Sequence, residues 1–123
     1  MAEGLVRHFL GDKFIVESAG YLSNYVHPDA IEVIKEIGVD ISKQISKSVS
    51  EMHDQNFDLI ITLCDENDPL CPIWYGKGKQ VNIPFPDPVM KKGDRNIVLQ
   101  EFRNVRDSMK SKILDYLQSN FLK

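Results

Sequence analysis

The chain has 123 residues, of which 42% are hydrophobic and 27% charged, and its formal net charge is −3. That is the size and composition of a single globular domain, residues 1–123, able to build a core. The slight acidity gives no basic footprint for nucleic acid. No apolar run approaches the ~20 residues that span a bilayer. Met1-Ala-Glu-Gly-Leu5 is not a basic segment followed by an apolar one, so no signal peptide is expected. The chain has two cysteines, Cys64 and Cys71. Without a secretion signal they point to a reducing cytoplasm, where such pairs tend to be catalytic, redox-active or metal-binding.

In chain order, Met1 to Leu10 forms a helix with Leu5, Val6, Phe9 and Leu10 on one face, and Gly11 suits the stop. Phe14 to Glu17 reads as a short strand running into the small-residue turn Ser18-Ala19-Gly20. Pro28 to Ile37 is a second helix, opened by proline and closed by Gly38, with Ala30, Ile31, Ile34 and Ile37 on one face. Ser48 or Ser50 is placed to cap a short third helix. Asp58 to Leu63 is nearly continuous in apolar residues, as for a strand covered on both faces. Val81 to Phe85 is a weaker strand, starting near Gln80, that Pro84 confines to an edge or an end. A long final helix runs from about Asn96 to Leu122, with Val98, Phe102, Val105, Met109, Ile113 and Leu117 as its apolar stripe. Strands alternating with helices predict an α/β fold in three layers, a parallel sheet with helices on both faces.

In such sheets the chemistry gathers at the carboxyl ends of the strands. Cys64 follows one strand, Ser18-Ala19-Gly20 a second and Asp87 a third, so all three are expected to open on one side. The cysteines themselves admit two readings: ordinary thiols, one packed at a strand end, or a functional pair. Zinc is disfavoured, because the spacing is not C-x2-C and His8, His27 and His53 lie far off in sequence. Asp65, Glu66 and Asp68 keep the intervening segment solvated and oppose a thiolate, so neither cysteine is self-activated. Such a thiol suits a resolving role, in which proximity compensates for a modest thiolate fraction.

Residues along the whole chain resemble the thioredoxin-coupled arsenate reductases, which share the low-molecular-weight tyrosine phosphatase fold. The shared segments are MAEG at the start, GDK followed by SAG, IGVDIS, the TLC-x6-CP element and PDP. TLC-x6-CP is the specific part. The resemblance implies that Cys64 attacks a first, arsenate-bound cysteine, that Cys71 resolves the resulting disulfide, and that thioredoxin reduces the final Cys64–Cys71 bond. It also implies that Asp87 is the acid/base group that protonates the departing oxygen; as a residue between prolines it reads equally as a turn former.

One departure is large. The family's first cysteine sits in an anion-binding loop, C-x5-R, that directly precedes the MAEG segment, and no C-x5-R occurs in this sequence. With that loop go the amides and arginine that cradle an oxyanion. The family's central first strand goes with it, leaving a lane of about 9–10 Å between the Phe14–Glu17 and Leu59–Leu63 strands. The expectation is an arsenate reductase whose sequence begins inside the domain, rather than a shortened protein that kept only a thiol switch. The 123 residues as written are expected to be inactive.

Some relatives bind potassium near the anion loop. Glu3 and Ser18 match two of its ligands, but Ile45 and Lys47 stand where oxygen-bearing residues are needed, so no metal is expected, and no cofactor either. Trp74 marks either a partner-docking rim or a packed aromatic, and the histidines read as surface or caps. Two rival functions remain. A tyrosine phosphatase usually carries an aromatic beside the Asp-Pro element, where this chain has Val89, and it needs no resolving cysteines. A non-catalytic thiol-redox module needs only Cys64 and Cys71.

Overall fold

The computed structural model of the chain describes residues 1–20, 26–45, 47–52, 55–65, 68–69, 71, 74 and 76–121. Glu66, His53 and Leu122, named above, and Pro72, the proline of the TLC-x6-CP element, lie outside the described residues. The chain divides into two compact units: Met1–Glu17 with Val26–Gln44 and Asp87–Lys123, and Ser18–Tyr25 with Ile45–Pro86.

The first unit is helical. Helix α1, Ala2–Leu10, buries Gly4, Leu5, Val6 and Leu10. Phe9 stays at the margin with Lys110 Nζ 4.6 Å from its ring centroid, a cation on an aromatic face. Gly11 closes the helix in a right-handed conformation, φ −65°. Glycine is required there by space rather than by handedness, because a Cβ would stand 2.1 Å from the Arg7 carbonyl oxygen. Helix α2, Pro28–Lys35, starts as expected with proline in its first turn, and His27 is its cap: Asp29 N–H donates to His27 Nδ1 at 3.1 Å. It stops before Gly38, whose φ of 84° suits a residue without a Cβ. Helix α3, Arg95–Phe121, is the long final helix. Asp94 opens it by accepting Ile97 N–H at 3.0 Å. Its buried stripe is Leu99, Phe102, Val105, Arg106, Met109, Ile113 and Leu117, so the stripe begins at Leu99 rather than Val98. Both α1 and α2 pack on α3, and Leu5, Val33, Ile34, Ile41, Phe102 and Val105 are almost wholly enclosed.

The segment 14–17, also in this unit, forms no strand among the described residues. A strand exists only through a neighbour that takes its backbone groups. Here Phe14 N–H donates to Leu10 O at 3.1 Å, and Val16 O accepts from the Arg7 guanidinium. Ile15 stands 97% exposed, an apolar β-branched side chain with no layer on it.

The second unit carries the sheet. Strands β1, Leu59–Thr62, and β2, Lys79–Asn82, run parallel in the register Leu59↔Lys79, Ile60↔Gln80, Ile61↔Val81 and Thr62↔Asn82. Pro84 falls beyond the end of β2, where no ladder N–H is missed. All four β1 residues are half-buried rather than covered on both faces. Among the described residues, β2 is the one strand paired to β1, which leaves its other edge without a ladder. Gly20 bridges Ser48 in parallel, with Gly20 N–H donating to Lys47 O and Val49 N–H to Gly20 O, each at 2.8 Å. Ser48 caps a single 3-10 turn, Val49–Glu51, in place of the expected short helix. Met52 and Phe85 are buried in this unit.

Candidate functional site

Cys64 and Cys71 are joined by a disulfide, with their Cα atoms 5.7 Å apart, inside the 4.4–6.8 Å range usual for such a bond. Both are half-buried, while Asp65, Asp68 and Pro69 between them are exposed. The bond therefore lies in a solvated acidic loop that starts two residues past the end of β1.

The two ends of the loop are held differently. On the Cys64 side, bonds from the β2 chain continue past the ladder. Ile83 N–H donates to Thr62 O and Phe85 N–H to Leu63 O, each at 2.9 Å. The Asn82 amide then gathers three oxygens: Thr62 O at 3.2 Å, Thr62 Oγ1 at 2.8 Å and Cys64 O at 2.8 Å. On the Cys71 side, Cys71 N–H donates to Asp68 O at 3.0 Å and Asp68 N–H to Asp65 O at 2.9 Å. Both of these are turns inside the segment that the disulfide closes.

Asp87 belongs to the first unit, whereas Cys64 and Cys71 belong to the second. It is exposed, and its Oδ1 accepts Val89 N–H at 3.0 Å, capping the 3-10 turn Pro88–Met90. The geometry thus contains the turn role that its proline neighbours suggest. Trp74 is half-buried: its ring meets Phe57 edge-on with centroids 5.5 Å apart, its Nε1–H donates to Lys77 O at 3.3 Å, and its own carbonyl accepts from Gln80 Nε2 at 3.2 Å. It is a packed aromatic. At the matched potassium positions, Glu3 pairs with Arg7 at 3.4 Å and Ile45 is 75% exposed.

Asn82 was not among the residues singled out from sequence. The available signal was an asparagine ending a strand, a position where its type is depleted unless the amide has other partners.

Comparison with known proteins places this geometry. Residues 1–121 match the family model of the low molecular weight phosphotyrosine protein phosphatases. The chain belongs to that family, and its fold is the α/β phosphatase-like fold with parallel strands expected from sequence. Its enzyme relatives include an arsenate reductase of Halalkalibacterium halodurans, 35% identical over 97% of this chain and 86% of the relative. An arsenate reductase of Bacillus subtilis is 32% identical over the same shares. Arsenate reductase 2 of Staphylococcus epidermidis is 38% identical over 92% of this chain and 82% of the relative. Among solved structures, an arsenate reductase in oxidized state superposes with a TM-score of 0.77 at 31% identity, covering 93% of this chain and 82% of that one. Another, in the reduced state, gives 0.76 at 29% identity, covering 96% and 86%.

Proposed function

We propose that the chain is an arsenate reductase that works through a thiol relay re-reduced by thioredoxin, with residues 1–123 acting as one reductase domain. The observation that carries this reading is the Cys64–Cys71 disulfide, set in a solvated loop at the end of β1. Relatives named arsenate reductase support it.

The relay runs in balanced steps. A cysteine thiolate of a C-x5-R loop attacks arsenate at arsenic, forming an S–As bond while one As–O bond breaks and that oxygen leaves, protonated, as water. The Cys64 thiolate attacks that sulfur, arsenite leaves with the electron pair, and a disulfide joins the first cysteine to Cys64. The Cys71 thiolate then attacks Cys64 Sγ, frees the first cysteine as thiolate and leaves Cys64–Cys71 oxidised. A thioredoxin dithiol returns two electrons and two protons, and becomes a disulfide itself. Asp87 serves as the acid that protonates the departing oxygen, with Val89 N–H engaging its Oδ1. The setting is the cytoplasm, where thioredoxin is reduced; among the described residues no helix is long and apolar enough to cross a membrane.

A second reading, a non-catalytic thiol-redox module, needs only the Cys64–Cys71 pair, which the disulfide joins. Both readings meet in one assay. The 123-residue chain, supplied with thioredoxin and its reductase, is expected to form no arsenite from arsenate and to hydrolyse no phosphate ester. The same chain preceded by a strand and C-x5-R loop is expected to reduce arsenate. Arsenite formed by the 123 residues alone would overturn the relay as written. Failure of the extended chain to reduce arsenate would leave the redox-module reading standing.

A further inference from the structure

Asn82 is the last residue of β2. Asparagine is a poor strand residue, yet it closes β2 opposite Thr62 in the ladder register. Its amide donates to three oxygens of the facing chain, and the last of them is the carbonyl of Cys64, at 2.8 Å. This contact ties one half of the disulfide to the sheet from across the ladder, a sequence separation of 18. By contrast, the Cys71 and Asp68 amides close turns inside the loop itself.

We propose that Asn82 is a positioning residue of the Cys64–Cys71 couple: by fixing the Cys64 backbone against β2 it holds Cys64 Sγ where Cys71 can close on it. The inference deepens the relay reading and rests on it for its use in the cell. A bond formed to the oxidised loop favours the oxidised state directly. A bond that also persists after reduction confines Cys64 and raises its effective concentration toward Cys71. In both cases losing the amide shifts the couple toward the dithiol. One hydrogen bond of ordinary strength corresponds to a shift of about 3- to 10-fold in the equilibrium constant.

The test equilibrates the 123-residue protein against graded ratios of reduced to oxidised dithiothreitol. Each reaction moves two electrons and two protons from the small dithiol to the protein disulfide. Free thiols are alkylated and counted by mass, and the melting temperature of each form is recorded. Asn82→Ala and the near-isosteric Asn82→Asp, which serves if the alanine variant does not fold, are expected to be about 3- to 10-fold more readily reduced than wild type. Asn82→Gln, which keeps the amide, should lie closer to wild type than either. A structural role alone would lower the melting temperatures of both forms equally and leave the equilibrium unmoved, because coupling between two events is reciprocal. That result overturns the inference while leaving the relay intact. A wild-type disulfide indifferent to every dithiol ratio overturns the relay reading, and this inference falls with it.

Discussion

Arg106 is the charged side chain that the first unit buries among its described residues, 8% exposed. It reaches the end of α2, where the last carbonyls of a helix lack intrahelical donors. Its Nη1 donates to Val33 O and to Glu36 Oε1, each at 2.8 Å, and its Nε to Asp107 Oδ1 at 2.8 Å. The guanidinium therefore satisfies an orphan carbonyl, and a cation sits at the negative end of the helix dipole. Hydrogen bonds to Asp107, and then to Glu36, push its pKa above the usual arginine value despite burial. Arg106→Met keeps much of the apolar stem but leaves Val33 O in a buried place without that donor. It is expected to cost about 2–4 kcal/mol, read from the shift in a urea unfolding curve. Arg106→Lys should recover only part of this, since one ammonium does not reproduce the planar fork. A stability within a few tenths of a kcal/mol of wild type would show that the fork contributes nothing.

At the scale of elements, the same corner joins α2 to α3. Arg103 donates Nε to Glu36 Oε1 at 3.0 Å and Nη2 to Oε2 at 2.9 Å, a two-pronged pair set beside Arg106. The Arg103 hydrogen bonds, opposed by some desolvation and aided by Arg106, hold the Glu36 carboxyl below its ordinary range. A carboxyl with a lower pKa in the folded state binds its proton less readily there than in the unfolded chain. Its stabilising contribution is therefore complete above the ordinary carboxylate pKa and is lost as pH falls through the folded value. Glu36→Gln should flatten the fall in melting temperature over roughly pH 5 to 3. An unchanged slope would mean that solvent screens the pair entirely. The elements that meet at this corner were legible in sequence because periodicity and punctuation agree: Pro28 and Gly38 bracket α2, and the three- to four-residue spacing of Phe102, Val105, Met109, Ile113 and Leu117 marks α3. The segment 14–17 has the residues of a strand but not its ladder, because a strand is completed by a neighbour that local sequence does not encode. Arg106 and Asn82 are not legible in sequence for a related reason: each acts on a residue distant in the chain, Val33 in one case and Cys64 in the other.

At the scale of the whole molecule, the cysteine loop is where the sequence motif and the structure meet. The TLC-x6-CP spacing is legible in the sequence alone. The disulfide follows from it once β1 ends and the acidic segment turns back through Asp68 to bring Cys71 near Cys64. What spacing alone does not carry is the asymmetry of the loop's two ends, which depends on β2 arriving alongside. The most direct test of the account is alkylation of free thiols, read by mass spectrometry on the folded, oxidised 123-residue chain before and after exposure to reduced thioredoxin. We expect no alkylation before and alkylation of both Cys64 and Cys71 after. Cys71→Ser is expected to leave Cys64 forming mixed disulfides with glutathione, and Cys64→Ser to abolish the intramolecular bond. Cysteines that remain alkylatable after oxidation, or a disulfide that thioredoxin leaves intact, would contradict the relay.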